Sequence, residues 1–426
     1  MKRSNFLALI MVILFISCES DPINEEIPEP VVLSPNIDIY EPDLLDNSYV
    51  LAMENGGTDA YLLDRAGYKI KTWKFDKKLG NDLEIMPDGK LLGIFKSDNP
   101  VFSFGGFGGI VKIFNTDGSE HWSFEYAGEN YIAHHDVEML PNGNLLIMVW
   151  ERIKAQNANE AGIDVANDIY PEALIEVDPK SDRIVWEWHS FDHVVQDQFP
   201  DRINFGEVSQ NPQLIDFNYN PMENGDIMHA NGIDFDPVKN LIYISVNFYH
   251  EVWVLDHSTT TEEAKTSKGG NYNKGGDLVY RFGNPTAYKS NYGARLFNNN
   301  HFPNFLEKNE IGAGNLLIFV NKGLDDELST VYELDLPENY DMKPDTDIEP
   351  GIVWQFGDPD LSFGRISGAV RLKNGNTLIC EGDFGYWEVT PNGEVAWKYN
   401  GLGDTSFWRG YAYAQDSEEI KALGLD

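Results

Sequence analysis

Leu140–Trp150 reads LPNGNLLIMVW, a Pro-Asn-Gly turn running into six consecutive apolar residues. The glycine supplies the positive φ of a tight hairpin, and β-branched and aromatic side chains suit a pleated surface. The stretch is therefore a turn followed by a buried strand. The same element returns as MPDGKLLGIF from Met86, DPVKNLIYISV from Asp236, GAGNLLIFVNKG from Gly312 and LKNGNTLICEG from Leu372, five times in all. Two further elements accompany it in fixed order. A short strand ends in an acidic turn (AYLLDRAG, VKIFNTDG, ALIEVDPKSD, EVWVLDHS, TVYELDLP, YWEVTPNG). A strand with a central aromatic follows (IKTWKF, EHWSFEY, RIVWEW, DLVYRF, GIVWQF, EVAWKY), and each of these occurs six times.

Four short antiparallel strands per unit, in six units, predict an all-β, six-bladed β-propeller. The first unit lacks its opening strand. FWRGYAYAQD from Phe407 is expected to supply it, so that pairing of N- and C-terminal strands closes the ring and removes exposed edges. A β-sandwich would explain the hairpins but not the fixed order of three elements. TSKGGNYNKGGD (266–277) and the irregular stretch 190–225 read as long inter-strand loops, of a length associated with function or disorder.

The first strand of each blade lines the central channel. His135 lies six residues before Pro141, and the equivalent positions on the other turns are Asn81, Asn231, His301 and Ser367. His229, two residues before Asn231, shares its face. This phase is either a hydrated polar lining or a site where imidazoles converge. Gathered histidines bind metal, exchange protons or act as nucleophiles. No compact His-x-x-x-His spacing favours a metal, and none is assigned, although ligands from separate blades stay open. Asp136 is placed to orient an imidazole or hold a cation, while alternation turns His134 to the opposite, structural face.

Residues 1–17 combine Lys2 and Arg3, an apolar run and a small residue before Cys18, the pattern of a lipoprotein signal peptide. Cys18 would then be the lipidated first residue, 18–45 a flexible acidic and Pro-rich tether, and 46–426 the propeller. An exported protein is expected, lipid-anchored in the bacterial cell envelope on the periplasmic or surface side of the outer membrane. Its membrane contact is through that anchor only. Cys380 is the other cysteine, so no disulfide framework exists. With 32 basic and 69 acidic residues the net charge is −37, which excludes nucleic acid as a partner. Any anionic substrate must be held locally, against the global field.

The segments HHDVEMLPNGNLLIM, VWEWHSFDHVVQD, MHANGIDFDP, EVWVLDHSTTT, GGDLVYRFGNPTAY, LFNNNHFPNF…GAGNLLIF and SGAVRLKNGNTLICEG resemble the arylsulfotransferase family. The likeness is greatest to its shorter environmental branch without an N-terminal sandwich domain. It runs from about Asp59 to the C-terminus, and LDHSTTT followed by YRFGNP is its most distinctive part. The resemblance implies ping-pong transfer of a sulfuryl group from a phenolic sulfate ester to a phenol, without a phosphoadenosine donor and with no cofactor. By the same resemblance His301 would carry the sulfuryl group, with His135 and His229 as the other histidines of the sulfate site. Many members pair the sulfate with an arginine where this chain has Asn247, with His250 three residues on. Arg365 and Arg409 are candidate replacements, and Asn81, Asn231, Asn247 and Ser367 are candidate substrate contacts. The competing readings are a non-catalytic propeller lipoprotein that binds glycans or envelope partners, and a metal-assisted hydrolase or lyase using the same channel. Convergence of the His135, His229 and His301 imidazoles within a sulfate's reach is the property that an enzymatic reading requires.

Overall fold

Each sequence repeat becomes one antiparallel sheet, and six sheets form the ring of a six-bladed β-propeller. The computed structural model describes residues 31–323, 328–403 and 406–425, so the expected signal peptide, Cys18 and the tether as far as residue 30 lie outside the described residues. From the channel outward, blade 2 is Leu79–Ile85, Leu91–Lys96, Gly109–Phe114 and Glu120–Glu125. Blade 3 is Tyr131–Met139, Leu145–Glu151, Glu172–Asp178 and Arg183–His189; blade 4 is Ala230–Asp236, Leu241–Val246, Glu251–Asp256 and Tyr280–Phe282. Blade 5 is Asn300–Phe305, Leu316–Val320, Thr330–Asp335 and Gly351–Phe356, and blade 6 opens with Gly368–Arg371, Thr377–Glu381, Gly385–Val389 and Val395–Asn400.

The turns are built as their composition requires. Leu140 N–H donates to Asn144 O at 2.9 Å, Gly143 N–H to Leu140 O at 2.8 Å, and Gly143 has φ 83°. Blade 4 has no glycine at this point. Asn240 takes the left-handed conformation instead, with φ 56°, which asparagine tolerates better than other side chains.

The ring is closed twice. Phe407–Ala414 pairs with Ser48–Glu54 to complete blade 1, as the missing opening strand predicted. The second closure falls within the stretch read as tether. Ile37–Tyr40 pairs with Val395–Asn400 and adds a fifth strand to the outer edge of blade 6, and the compact unit begins at Leu33. Ile37 packs against Gly67, and the Asn36 side chain donates to Asn400 O at 2.7 Å. A four-residue strand gives almost no signal of its own; its partner's unpaired edge is what orders it.

A single feature of the inner strands governs the channel. Five of them depart from regular pairing near the positions aligned on the turns, and the sixth is preceded by two left-handed residues. Register breaks between the pairs of Leu79 and Leu83, of Val149 and Ile147, of Ala230 and Gly232, of His301 and Pro303, and of Glu54 and Ala52. In blade 6, Ile366 and Ser367 adopt φ 55° and 91° just before the strand. Such bulges add an unpaired residue and suspend side-chain alternation. Consecutive residues of one strand can therefore all face the axis.

The channel is layered as a result. Below the histidine level, Arg409 Nη1 lies 2.9 Å from Asp136 and 3.2 Å from Asp82, while Nη2 donates to Asn231 O at 2.8 Å. Its guanidinium stands 4.2 Å from the Phe302 ring centre. Burial opposes the charge on Arg409, but Asp136, Tyr411 and Asp82 hold it protonated, above its ordinary range. Beyond this layer Glu84, Glu138 and Asp234 face a cavity of about 680 Å³ at the far end. Burial first, then neighbouring carboxylates, raises Glu84 and Glu138, and burial brings Asp234 to about 8. The opening at this end is thus lined by carboxyl groups disposed to keep their protons.

Candidate active site

His135 and His229 meet ring to ring, and Trp408 lies beside both His135 and His301. The ring centres of His135 and His229 are 5.0 Å apart at 81°. Trp408 lies between His135 and His301, at 5.5 and 6.4 Å from their centres. His135 is at a left-handed bulge (φ 54°), His229 just before one strand (φ 48°), and His301 beside Phe302 (φ 53°). Non-glycine residues rarely adopt such angles, and backbone strain of this kind gathers at functional sites.

Each imidazole has a distinct environment. His301 is 6% exposed, and its Nε2 accepts the Ile366 N–H at 3.2 Å. Burial, then the charge of His229, lowers it to about 3, although Asn321 and the Asn299 backbone favour its protonated form. It is neutral at physiological pH, with a lone pair on Nε2. His135 is buried and also pushed well down, by burial first and then by His229. His229 is the accessible one, with its side chain 18% exposed. Its Nδ1 is 2.5 Å from Asp226 Oδ2, and it stacks on Phe248 at 4.8 Å. A carboxylate at Nδ1 fixes the tautomer and orients Nε2 outward as the proton-exchanging atom.

His134 is not turned away from its neighbour as strict alternation required. The bulge lets its Nδ1 meet His135 Nδ1 at 2.9 Å, and its ring stacks on Trp150 at 3.8 Å and 6°. It holds His135 in place. Asp136 orients no imidazole: its Oδ1 faces Arg409 and its Oδ2 accepts Ile233 N–H at 2.7 Å.

Several expected substrate contacts are positioning residues instead. Asn231 and Asn247 both donate to Asn300 O, at 2.9 and 3.1 Å, and Ser245 donates there at 3.2 Å. His250 Nδ1 accepts Asn299 N–H at 3.1 Å. Together they fix the backbone immediately before His301. Ser367 N–H donates to Trp408 O at 3.2 Å and its Oγ accepts Gly382 N–H at 3.1 Å, joining blade 6 to the closing strand. Arg409 is spent on two carboxylates and cannot serve as the sulfate partner. Arg365 is exposed beside Ile366, with no carboxylate partner among the described residues. Asn81 is buried and its Nδ2 has no hydrogen-bond partner among the described residues.

Sequence reading missed the roof of the site. Ser103–Gly109, SFGGFGG, crosses it between two strands of blade 2. His135 N–H donates to Gly106 O at 3.0 Å, and a Cβ at Gly106 would stand 2.0 Å from His135 Nε2. One at Gly105 would lie 3.7 Å from His229 Cε1. The glycines let this loop approach both rings; a run of four glycines in seven residues was the available signal. Gly106→Ala, at φ 84° and with that overlap, is expected to destabilise by about 2 kcal/mol or more and displace His135. Thermal melting and aryl-sulfate turnover check it, and a variant unchanged in both would show the loop to be movable. The same loop carries Phe104, 5.1 Å from Trp150 and 5.2 Å from Tyr170, and Phe102, 4.4 Å from Tyr170. With Phe248 these half-buried rings form an aromatic rim beside His229.

Comparisons with known proteins bear on the fold and the family. The chain is similar to a crystallised protein of unknown function from Bacteroides caccae (12% identity, 86% of this chain and 98% of that one, TM-score 0.50), a likeness of fold alone. Kuenenia stuttgartiensis hydrazine synthase (15% identity, 69% and 70% covered, TM-score 0.37) and a putative 6-phosphogluconolactonase from Bacteroides fragilis (11%, 90% and 86%, TM-score 0.38) are more distant. No curated protein matches the chain. The sequence profile of the arylsulfotransferase (ASST) family matches residues 41–308, more than half of the chain and including all three histidines. The protein belongs to the arylsulfotransferase family.

Proposed function

We propose that the protein is an aryl-sulfate sulfotransferase that works without a phosphoadenosine donor, through a sulfuryl group carried covalently on His301. The observation that carries this reading is the meeting of three imidazoles with different environments at one end of the channel: one neutral and buried, one locked by a neighbour, and one backed by a carboxylate. The aromatic rim beside His229 offers flat apolar surface to the aryl group of a sulfate ester.

The Nε2 lone pair of His301 displaces the long Ile366 hydrogen bond and attacks sulfur. The sulfur–oxygen bond to the aryl group breaks, and its electron pair leaves on the phenolate oxygen, which takes a proton from His229. An acceptor phenol then returns that proton to His229 as its oxygen attacks sulfur, breaking the nitrogen–sulfur bond and restoring His301. Asp226 stabilises the imidazolium that His229 carries before the first half-reaction and regains in the second. The activity would lie in the cell envelope, beneath the lipid anchor expected at Cys18.

A chromogenic aryl sulfate and a second phenol test this. Parallel lines in double-reciprocal plots, with phenolate release that depends on the acceptor, are the expected result. No phenolate release with any acceptor would leave the binding-module reading in its place.

A further inference from the structure

Trp408 is 6% exposed, and its indole Nε1–H has no hydrogen-bond partner among the described residues. An indole nitrogen can only donate, and a buried donor left unpaired costs about 1–3 kcal/mol. Such a group needs an explanation, and this one lies between His135 and His301. The surroundings show that the position is built. Trp408 sits in the bulge of the closing strand, where pairing jumps from Gly410 to Phe407. Its carbonyl is held by Ser367 N–H at 3.2 Å, while Phe407 N–H donates to Gly382 O at 2.7 Å. Tyr386 Oη donates to Arg409 O at 2.9 Å, so the bulge is pinned on both sides.

The bulge sends two consecutive side chains into the channel, Arg409 to the carboxylate layer and Trp408 to the histidine layer. Arg409 is held in the carboxylate layer by Asp136, Asp82 and Asn231 O. His135 and His301 are neutral imidazoles, and the His229 imidazolium of the proposed mechanism is engaged by Asp226 and gives up its proton to the leaving group. An oxyanion placed there needs a preorganised donor, and an unpaired N–H in a water-poor setting is worth far more to an anion than an exposed one.

We propose that the Trp408 indole N–H donates to a non-bridging oxygen of the sulfuryl group, making Trp408 a catalytic residue of the transfer. The inference rests on reading the histidine cluster as the sulfuryl-transfer site. A binding measurement separates it from that reading, because an unreactive aryl sulfonate needs the donor but not the chemistry. Trp408→Phe keeps a ring and removes the N–H. Its affinity for an aryl sulfonate, measured by calorimetry, is expected to fall about 10- to 100-fold. With an aryl sulfate, kcat/KM is expected to fall about 10²- to 10³-fold, as when one oxyanion donor is removed.

Full-strength sulfonate binding by a folded Trp408→Phe variant overturns the inference and leaves the sulfotransferase reading intact. Weakened sulfonate binding, with no turnover of any aryl sulfate by the unmutated protein, upholds the donor and fails the sulfotransferase reading. A crystal structure of the unmutated protein with the sulfonate decides the matter if the variant does not fold. Nε1 within about 3.2 Å of a sulfonate oxygen supports the assignment, and a longer separation overturns it.

Discussion

His301→Ala is expected to lower sulfuryl transfer by at least about 10⁴-fold, the scale seen when a covalent nucleophile is removed. Fold loss would not mimic this result. The substitution removes one acceptor, that of Ile366 N–H, and leaves a small void, together worth about 1–3 kcal/mol in a large domain. Melting should therefore shift by a few degrees while turnover vanishes. Mass spectrometry of the unmutated protein, quenched with aryl sulfate and no acceptor, should find the added sulfuryl mass on the peptide bearing His301. Its absence, with turnover intact, would exclude the covalent route. The pH profile supplies an independent check. His301 has its protonation lowered to about 3, so it stays neutral and nucleophilic down through mildly acidic pH. Any acid limb between pH 5 and 7 must come from another group. The same lowering gives a stability term of defined sign. His301, His135 and His134 favour the folded state above the ordinary histidine range, and that contribution is lost as pH falls toward their lowered values.

Arg409→Met separates two roles that the sequence left open. As the substrate's sulfate partner, Arg409 would be needed for affinity and dispensable for folding. Its position predicts the reverse. Removing the guanidinium leaves Asp82 and Asp136 buried without their cation, and breaking a buried pair in this way costs about 3–5 kcal/mol. Asp82 is already raised to about 7, chiefly by burial and then by Asp136, with Arg409 opposing. Without Arg409 its folded-state value rises further, and the destabilisation is full at high pH and shrinks as the carboxylate protonates on acidification. Melting curves at pH 5 and pH 8 should show a larger deficit at pH 8. Equal melting of variant and parent at both, with loss of aryl-sulfonate binding, would return Arg409 to the substrate.

The blade count, the order of strands and the closing strand were legible because hairpin turns and two-residue alternation are local properties. LPNGN at 140–144 means a turn whatever surrounds it. The level of the site was legible too: Asn81, His135, Asn231, His301 and Ser367, aligned on their turns, mark the level of the bulges in the inner strands. What failed was the inference from phase to direction. Alternation turned His134 away from His135 and made every aligned residue face the substrate. A bulge suspends alternation, so His134 holds His135 while Asn231 turns to Asn300 O.

The sequence by itself determined the propeller, its closure from Phe407 and the histidines that meet, since each rests on periodicity and spacing along the chain. The tertiary structure alone decided which polar groups are spent on one another and which are left over. Arg409, Asp136, Asn231 and Asn247 looked like candidates for ligand contact until their partners from other blades were in place. Trp408 drew no notice until its N–H was seen to lack one. Whether a buried donor or charge is satisfied depends on residues hundreds of positions away, as with Arg409 and Asp82, separated by 327. No local pattern encodes that pairing, because desolvation acts on the assembled channel and not on the strand.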